Sequence, residues 1–388
     1  HIDGLKGADT VTYQGNIADY KIEMVADGLV RVTDLKTTDG SEGSDTLNNV
    51  ETIAFADANA QVEKLFPLSG AEFLVNTTTN DSQRAPSVAS LSSGGFVITW
   101  HSNGQDGDSW GVYGQAYAAN GSLQGSEFLV NTQTANSQRD PAVTGLSDGG
   151  FVIAWMSDRQ DGDNGGIYGQ RYDVNGVAAG NEFLVNTYTN NAQEAPAVVG
   201  LSDGGFVVTW HGNTDKEGGG GYGVTGQRYG ADGSVQGARF LVNSSWDDNQ
   251  SNAAIDSLDG GGFVVVWQSD NTDGSSWGVY GQRYGADASS QGGEFLINTT
   301  TSNEQSEAAV AGLSGGGFVV TWRSYGQDGD SWGIYGQRYG ADGVATGNEF
   351  LVNTDTKYSQ NLPAVVGLSD GGFLIAWGGQ PDDGYGDG

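Results

Sequence analysis

Apolar residues fall in short alternating runs along most of the chain, and the runs keep one order. "PAVTGL" (Pro141–Leu146) meets the turn "SDGG", and "FVIAW" (Phe151–Trp155) follows. A polar loop holding "QDGD" leads to "GIYGQRYD" (Gly166–Asp173), and "NGVAAGN" then turns into "EFLVNT" (Glu182–Thr187). Each run is short, rich in Val, Ile, Phe and Tyr, and bounded by Gly, Asn or Asp, so the pattern predicts four strands. No stretch carries the sustained 3.6-residue period with caps that a helix needs.

The order recurs. The tryptophan that closes "GGFVxxW" stands at Trp100, Trp155, Trp210, Trp267, Trp322 and Trp377, at spacings of 55 or 57 residues. The "EFLVNT" element keeps step, beginning at Glu72, Glu127, Glu182, Arg239, Glu294 and Glu349. Four strands in a unit of this length predict a β-propeller blade, somewhat longer than the common ~40–50-residue types. The hairpin on either side of "SDGG" reads as the two inner strands. "GIYGQRYD" reads as the third strand and "EFLVNT" as the outer edge. The first "EFLVNT" precedes any inner strand, and the last unit ends after two. The expected fold is therefore all-β: a six-bladed propeller of four-stranded blades, closed by strands from both ends of the repeat region. Glu72–Thr77 would complete the blade begun near Pro363, with Asn49–Ala60 as its third strand. Closure of this kind removes an open sheet edge. Residues 67–388 form the propeller on this reading, and residues 1–66 a small β-rich N-terminal segment.

Composition narrows the functions. Of 388 residues, 65 are Gly, more than double the ordinary share of about 7%, as many tight turns require. Asp and Glu number 48 against 16 Lys and Arg, for a formal charge of -32, which argues against a nucleic-acid partner and suits cations. No window approaches the ~20 apolar residues of a membrane helix, so no membrane insertion is expected. The chain has no Cys, so disulfides play no part.

Several motifs are candidates for chemistry. Asp106/Asp108, Asp161/Asp163 and Asp328/Asp330 stand on the loop between the second and third strands, with Asp270/Asp273 a looser version. Paired carboxylates are a start toward the six to eight oxygens of a calcium ion. They are equally an Asp-Gly turn whose carboxylates bond local amides. Trp110, Trp277 and Trp332 close three of these loops, as platforms for a sugar ring or as packing against the next blade. Gln83, Gln138, Gln193, Gln250, Gln305 and Gln360 precede each inner strand, either as a polar ring around the axial mouth or as anchors of the blade-to-blade crossover. "GLSDG" at Gly145, Gly200 and Gly367 matches GxSxG, but that nucleophile elbow needs a helix after it, and here a strand follows. His1, His101 and His211 form no zinc or triad spacing. The sialidase Asp-box is missed by one residue in "SDNTDGSSW", where Asp273 directly precedes Gly274. The acidic pairs recur around the ring, whereas an active site needs one asymmetric constellation, so the expectation is a protein that is not an enzyme.

"GLKGADTVT" (Gly4–Thr12) resembles one copy of the calcium-binding nonapeptide of secreted RTX proteins, with Gly4, Gly7, Asp9 and Val11 in place and Leu5 for the second Gly. The segment that follows, and the 55-residue units, resemble parts of large hemolysin-type bacterial exoproteins and adhesins. The resemblance implies an extracellular location and calcium as the cofactor, with Asp9 among its ligands. The expected function is a calcium-stabilised binding or adhesion module for surface glycans or extracellular polysaccharide. A polysaccharide-active enzyme and a structural spacer are the alternatives.

Overall fold

The computed structural model describes residues 73–213, 221–244 and 248–379, together with short strands between residues 2 and 61. It divides into two units, residues 1–74 and 75–388. In the first, Tyr20–Ala26, Leu29–Asp34 and Ser44–Asn48 form an antiparallel meander to which Ile2–Asp3 adds in parallel. Thr10–Thr12, Thr52–Ala54 and Asn59–Gln61 make a second sheet.

The larger unit contains five four-stranded antiparallel sheets and one pair of strands, each sheet in chain order. Blade 1 comprises Gln83–Ser90, Phe96–Asn103, Trp110–Tyr117 and Leu123–Leu129. The inner strands of the following blades are Gln138–Gly145, Gln193–Gly200, Gln250–Ser257, Gln305–Gly312 and Gln360–Gly367. All six inner strands line one axial space of about 540 Å³, which makes the arrangement a propeller of six blades.

The core lies between blades. Val97, Val112 and Val130 of blade 1 pack on Val143, Ile153 and Trp155 of blade 2, and equivalent clusters repeat around the ring. A blade covered on both faces needs apolar residues on both faces, so second strands lose their alternation. Phe263–Asp270 is buried at seven of its eight positions. Inside each complete blade a Phe of the second strand stacks on a Tyr of the third at 4.7–4.9 Å.

In blade 6 the described residues form two strands, Gln360–Gly367 and Phe373–Gly379, and Leu374 is 62% exposed where its counterpart Val152 is 0%. Asn49–Ala60, expected as the third strand here, differs: Thr52–Ala54 and Asn59–Gln61 pair with each other, a partner a few residues away being reached at lower loop-closure cost. Phe73–Asn76 forms no strand but keeps the crossover geometry. Asn76 Nδ2 donates to Thr78 O at 2.6 Å and Gln83 Oε1 at 3.4 Å, as Asn131 does to Gln133 O and Gln138 Oε1.

Candidate functional site

The Asp loops and the crossovers share one end of the propeller, because both adjoin the start of the inner strand and the end of the second. Asp108, Asp163 and Asp330 each accept a crossover amide, from Asn136 at 2.8 Å, Asn191 at 2.7 Å and Tyr358 at 3.0 Å. Asp106, Asp161, Asp273 and Asp328 each receive the amide of the crossover Asn at 3.2–3.4 Å. Asp270 ends its strand and pairs across the ladder with Trp277. Asp9 lies outside the described residues. Among the described residues no three His, Cys, Asp or Glu side chains converge as metal ligands would.

The glutamines serve the crossover. Gln138 is fully buried, donates to Ala135 O at 3.0 Å and Ser157 Oγ at 3.3 Å, and accepts from Asn131 Nδ2 at 3.2 Å. Gln193, Gln250, Gln305 and Gln360 are likewise buried, and Gln83 is half-buried. Trp110, Trp277 and Trp332 are half-buried at the start of the third strand. Trp110 stands edge-on to His101 at 4.7 Å, with the Arg84 guanidinium 5.8 Å from its ring. Trp332 stands edge-on to Tyr325 at 5.2 Å, beneath Arg323 at 4.1 Å.

A feature not visible in the sequence lies between these elements. Every inner strand bulges at its third residue, and Ala85, Asp140, Ala195, Asn252, Glu307 and Leu362 all adopt φ between 47° and 54°. Six non-glycine residues in the left-handed region at one position mark an imposed geometry. Pro86, Pro141, Pro196 and Pro363 follow four of them, where the ladder is already broken and no N–H is required. The bulge turns the residue's N–H toward the preceding blade. Asp140 N donates to His101 Nδ1 at 3.1 Å, Asn252 N to His211 Nδ1 at 3.3 Å, and Glu307 N to Gln268 Oε1 at 3.3 Å.

Side chains at these bulges do not repeat. The Asp140 carboxylate lies 3.8 Å from His101 Nδ1 and 3.8 Å from Arg139 Nε. Glu194 lies 4.0 Å from His211, and Glu307 is 3.0 Å from Arg323. Asp140, Glu194 and Glu307 stay 46%, 39% and 25% exposed, so solvent and solutes reach them. Burial lowers the pKa of His101, opposed by the nearby Asp140 carboxylate, and burial alone lowers that of His211 to about 4. Both imidazoles are therefore neutral acceptors for the bulge amides. No motif singles out these carboxylates. For Asp140 and Glu307 the signal in the sequence is a column that reads Ala, Asp, Ala, Asn, Glu, Leu two residues after an invariant Gln, whereas Glu194 stands one residue before its column member, Ala195.

At the opposite end, the "SDGG" hairpins surround a cavity of about 610 Å³ lined by Ser147, Ser202, Ser314, Ser369, Asp256 and Asp259 among others. Strand, turn and strand follow one another at Ser147, so the GxSxG match has no elbow. Asp256 departs from the repeat, but its oxygens accept Ser257 N and Gly312 N at 2.8 Å. Asp259 accepts Gly315 N at 2.8 Å. Burial raises the Asp256 pKa against those two bonds.

No protein-family model and no curated protein sequence matches this chain. Solved structures do. A Dyadobacter fermentans protein of unknown function is similar at 12% identity and TM-score 0.53, over 76% of this chain and 90% of that one. NanB sialidase from Streptococcus pneumoniae, as its K499G mutant, is similar at 9% identity and TM-score 0.52, over 90% and 78%. An α-L-arabinanase from Penicillium chrysogenum is similar at 14% identity and TM-score 0.50, over 76% and 89%. The fold class is that of β-propellers that include glycosidases. This corrects the expectation that the protein is not an enzyme. That expectation rested on acidic pairs recurring around the ring, yet propellers of similar fold include glycosidases, and here the residues at the inner-strand bulges do not recur.

Proposed function

We propose that the protein acts on a polysaccharide at the loop end of its axis, cleaving glycosidic bonds with carboxylates drawn from Asp140, Glu194 and Glu307. The observation that carries this reading is the asymmetric set of carboxylate, imidazole and guanidinium groups on a ring that is otherwise repetitive. Glycoside cleavage needs one carboxyl group to protonate the leaving oxygen and a second to act as base or nucleophile. Three partly exposed carboxylates on three blades supply the groups, and each is held by a cationic or imidazole neighbour on the same or the preceding blade. Trp110 and Trp332, capped by arginines, offer ring faces on which a sugar can stack. The propellers similar in fold include a sialidase and an arabinanase, which supports carbohydrate as the ligand class. Surface or extracellular polysaccharide fits the acidic, cysteine-free composition, and we place the protein outside the cell on that ground.

The test is incubation with a panel of neutral and acidic polysaccharides, followed for new reducing ends and for unsaturated ends. Turnover is expected on at least one, and Asp140→Asn, Glu194→Gln and Glu307→Gln combined should reduce it at least about 100-fold, as loss of acid–base groups does. Replacing Trp110 and Trp332 by Ala should raise KM. Turnover that survives the triple substitution overturns the assignment.

A further inference from the structure

One blade leaves a sheet edge open. Blades 1 to 5 pair their second strand on both sides, whereas among the described residues Phe373–Gly379 of blade 6 pairs only with the inner strand Gln360–Gly367. Leu368 N donates to Gly372 O at 2.9 Å across the turn, and the ladder continues with Val366 opposite Leu374 and Ala364 opposite Ala376. The backbone groups of Leu374 and Ala376 therefore face the inner strand, and those of Phe373, Ile375 and Trp377 face outward. Native edges are blunted by charge, Pro or a bulge, but "FLIAWGG" has no charged residue and no Pro.

The complete blades show what pairs such an edge. In each, the third strand runs antiparallel to the second and sets a Tyr opposite its Phe, as Tyr172 opposite Phe151 and Tyr339 opposite Phe318. In four of them a second Tyr stands opposite the Trp: Tyr113 with Trp100, Tyr168 with Trp155, Tyr280 with Trp267 and Tyr335 with Trp322. The tryptophans of blades 1 to 5 are at most 4% exposed, whereas Trp377 is 41% exposed. Phe373 meets a ring of the preceding blade, Phe350 at 6.2 Å, and among the described residues no Tyr of its own blade.

Charge points the same way. Asp148 accepts Gly150 N at 2.9 Å through Oδ1, and Arg171 of the third strand donates to its Oδ2 at 3.3 Å. Asp203 is held likewise by Gly205 N and Arg228. Blades 1, 4 and 5 have Ser93, Gly260 and Gly315 at this position, so every turn Asp of a complete blade takes a third-strand Arg. Asp370 accepts Gly372 N at 2.8 Å through Oδ1, and among the described residues no guanidinium reaches its Oδ2.

We infer that blade 6 binds an extended segment of a second polypeptide by strand addition, and that the segment carries the third-strand pattern "GIYGQRY". Its backbone completes the ladder along Phe373, Ile375 and Trp377, its two Tyr cover Phe373 and Trp377, and its Arg meets Asp370. Main-chain bonds supply the affinity. The Tyr and Arg positions fix the register, because a slip of one residue would turn them to the wrong face.

The test uses the full chain and a fluorescein-labelled peptide with the sequence of Trp332–Tyr339, "WGIYGQRY". Anisotropy should rise saturably. Hydrogen exchange followed by NMR should slow at the amides of Phe373, Ile375 and Trp377 on adding peptide, whereas Leu374 and Ala376 should be slow throughout. The peptide with Gln337→Pro, which removes an N–H from the ladder, should not bind. Asp370→Asn in the protein should weaken binding about two- to fivefold, the worth of an exposed ion pair. Absence of binding, or equal binding of the proline peptide, overturns the proposal. So does protection of Phe373, Ile375 and Trp377 in the chain alone: a monomer by light scattering would then cover its edge with its own segment, and a dimer with a second copy.

Discussion

At the scale of single residues, identical positions in the repeat have separated into structural and chemical roles. His211 shows how. Its Nδ1 accepts the Asn252 amide, which only the neutral ring can do, and burial lowers its pKa to about 4 from the ordinary 6.5. A lowered folded pKa means that the unfolded chain takes up the proton first. The stabilising contribution is full above pH ~6.5 and is lost as pH falls toward ~4. The loss over that window is on the order of 3 kcal/mol for a shift of this size. Gln268 performs the same task in blade 4 without titrating, through its Oε1 to Glu307 N. His211→Gln should therefore flatten the fall in urea midpoint between pH 7 and pH 4.5 relative to the parent. Parallel curves for the two proteins would contradict the role given to His211.

At the scale of strands, the fold explains residues whose reason is far away in the chain. The Gly of "YGQ" in the third strand lies beneath the Phe of the outer strand, and a Cβ on Gly169 would stand 2.6 Å from Phe183 Cζ. Nothing near Gly169 announces this, because Phe183 arrives only after the turn. Gly169→Ala should destabilise by about 1–3 kcal/mol, the usual cost of overpacking. Gly293→Ala, with open space around it and no left-handed φ, should leave the urea midpoint nearly unchanged. The same reasoning covers the bulge. Pro follows the third residue of four inner strands, and the reason, an N–H of that residue turned to the preceding blade, lies in the tertiary structure.

At the scale of the whole molecule, charge is the dominant feature. With 48 acidic residues against 16 basic ones, the ring repels itself. Sodium chloride at about 0.5 M shortens the Debye length to a few ångströms and should raise Tm by calorimetry relative to about 0.02 M. An ion that binds only the folded ring would add about 2.7 kcal/mol of stability at a hundredfold excess over Kd, so Tm in millimolar calcium should exceed Tm in chelator at constant ionic strength. A flat salt response would show that the charges are already compensated by pairing. Among the described residues, Arg171 with Asp148 at 3.3 Å and Arg228 with Asp203 pair a mostly buried guanidinium with a solvent-exposed carboxylate, and such bridges are of modest worth.

The sequence by itself determined what a short period can encode. Alternation within runs and recurrence at 55 residues specified the strands of the repeats, the blades, their number and the end on which the Asp loops sit, but not the strands expected to complete blade 6. Tertiary structure decided which polar residues are spent on holding blades together. Gln138 and its counterparts read as a ligand ring or, more readily, as crossover anchors, and Gln138, Gln193, Gln250, Gln305 and Gln360 are buried and donate to crossover carbonyls. Asp140 and His101 stand 39 residues apart and on different blades, so no local pattern links them. The Gln105 side chain is held by a carboxylate 22 residues away, its Nε2 donating to Glu127. Contacts within a strand or hairpin follow from backbone period, whereas contacts between blades depend on how sheets twist and pack, and that information is not local.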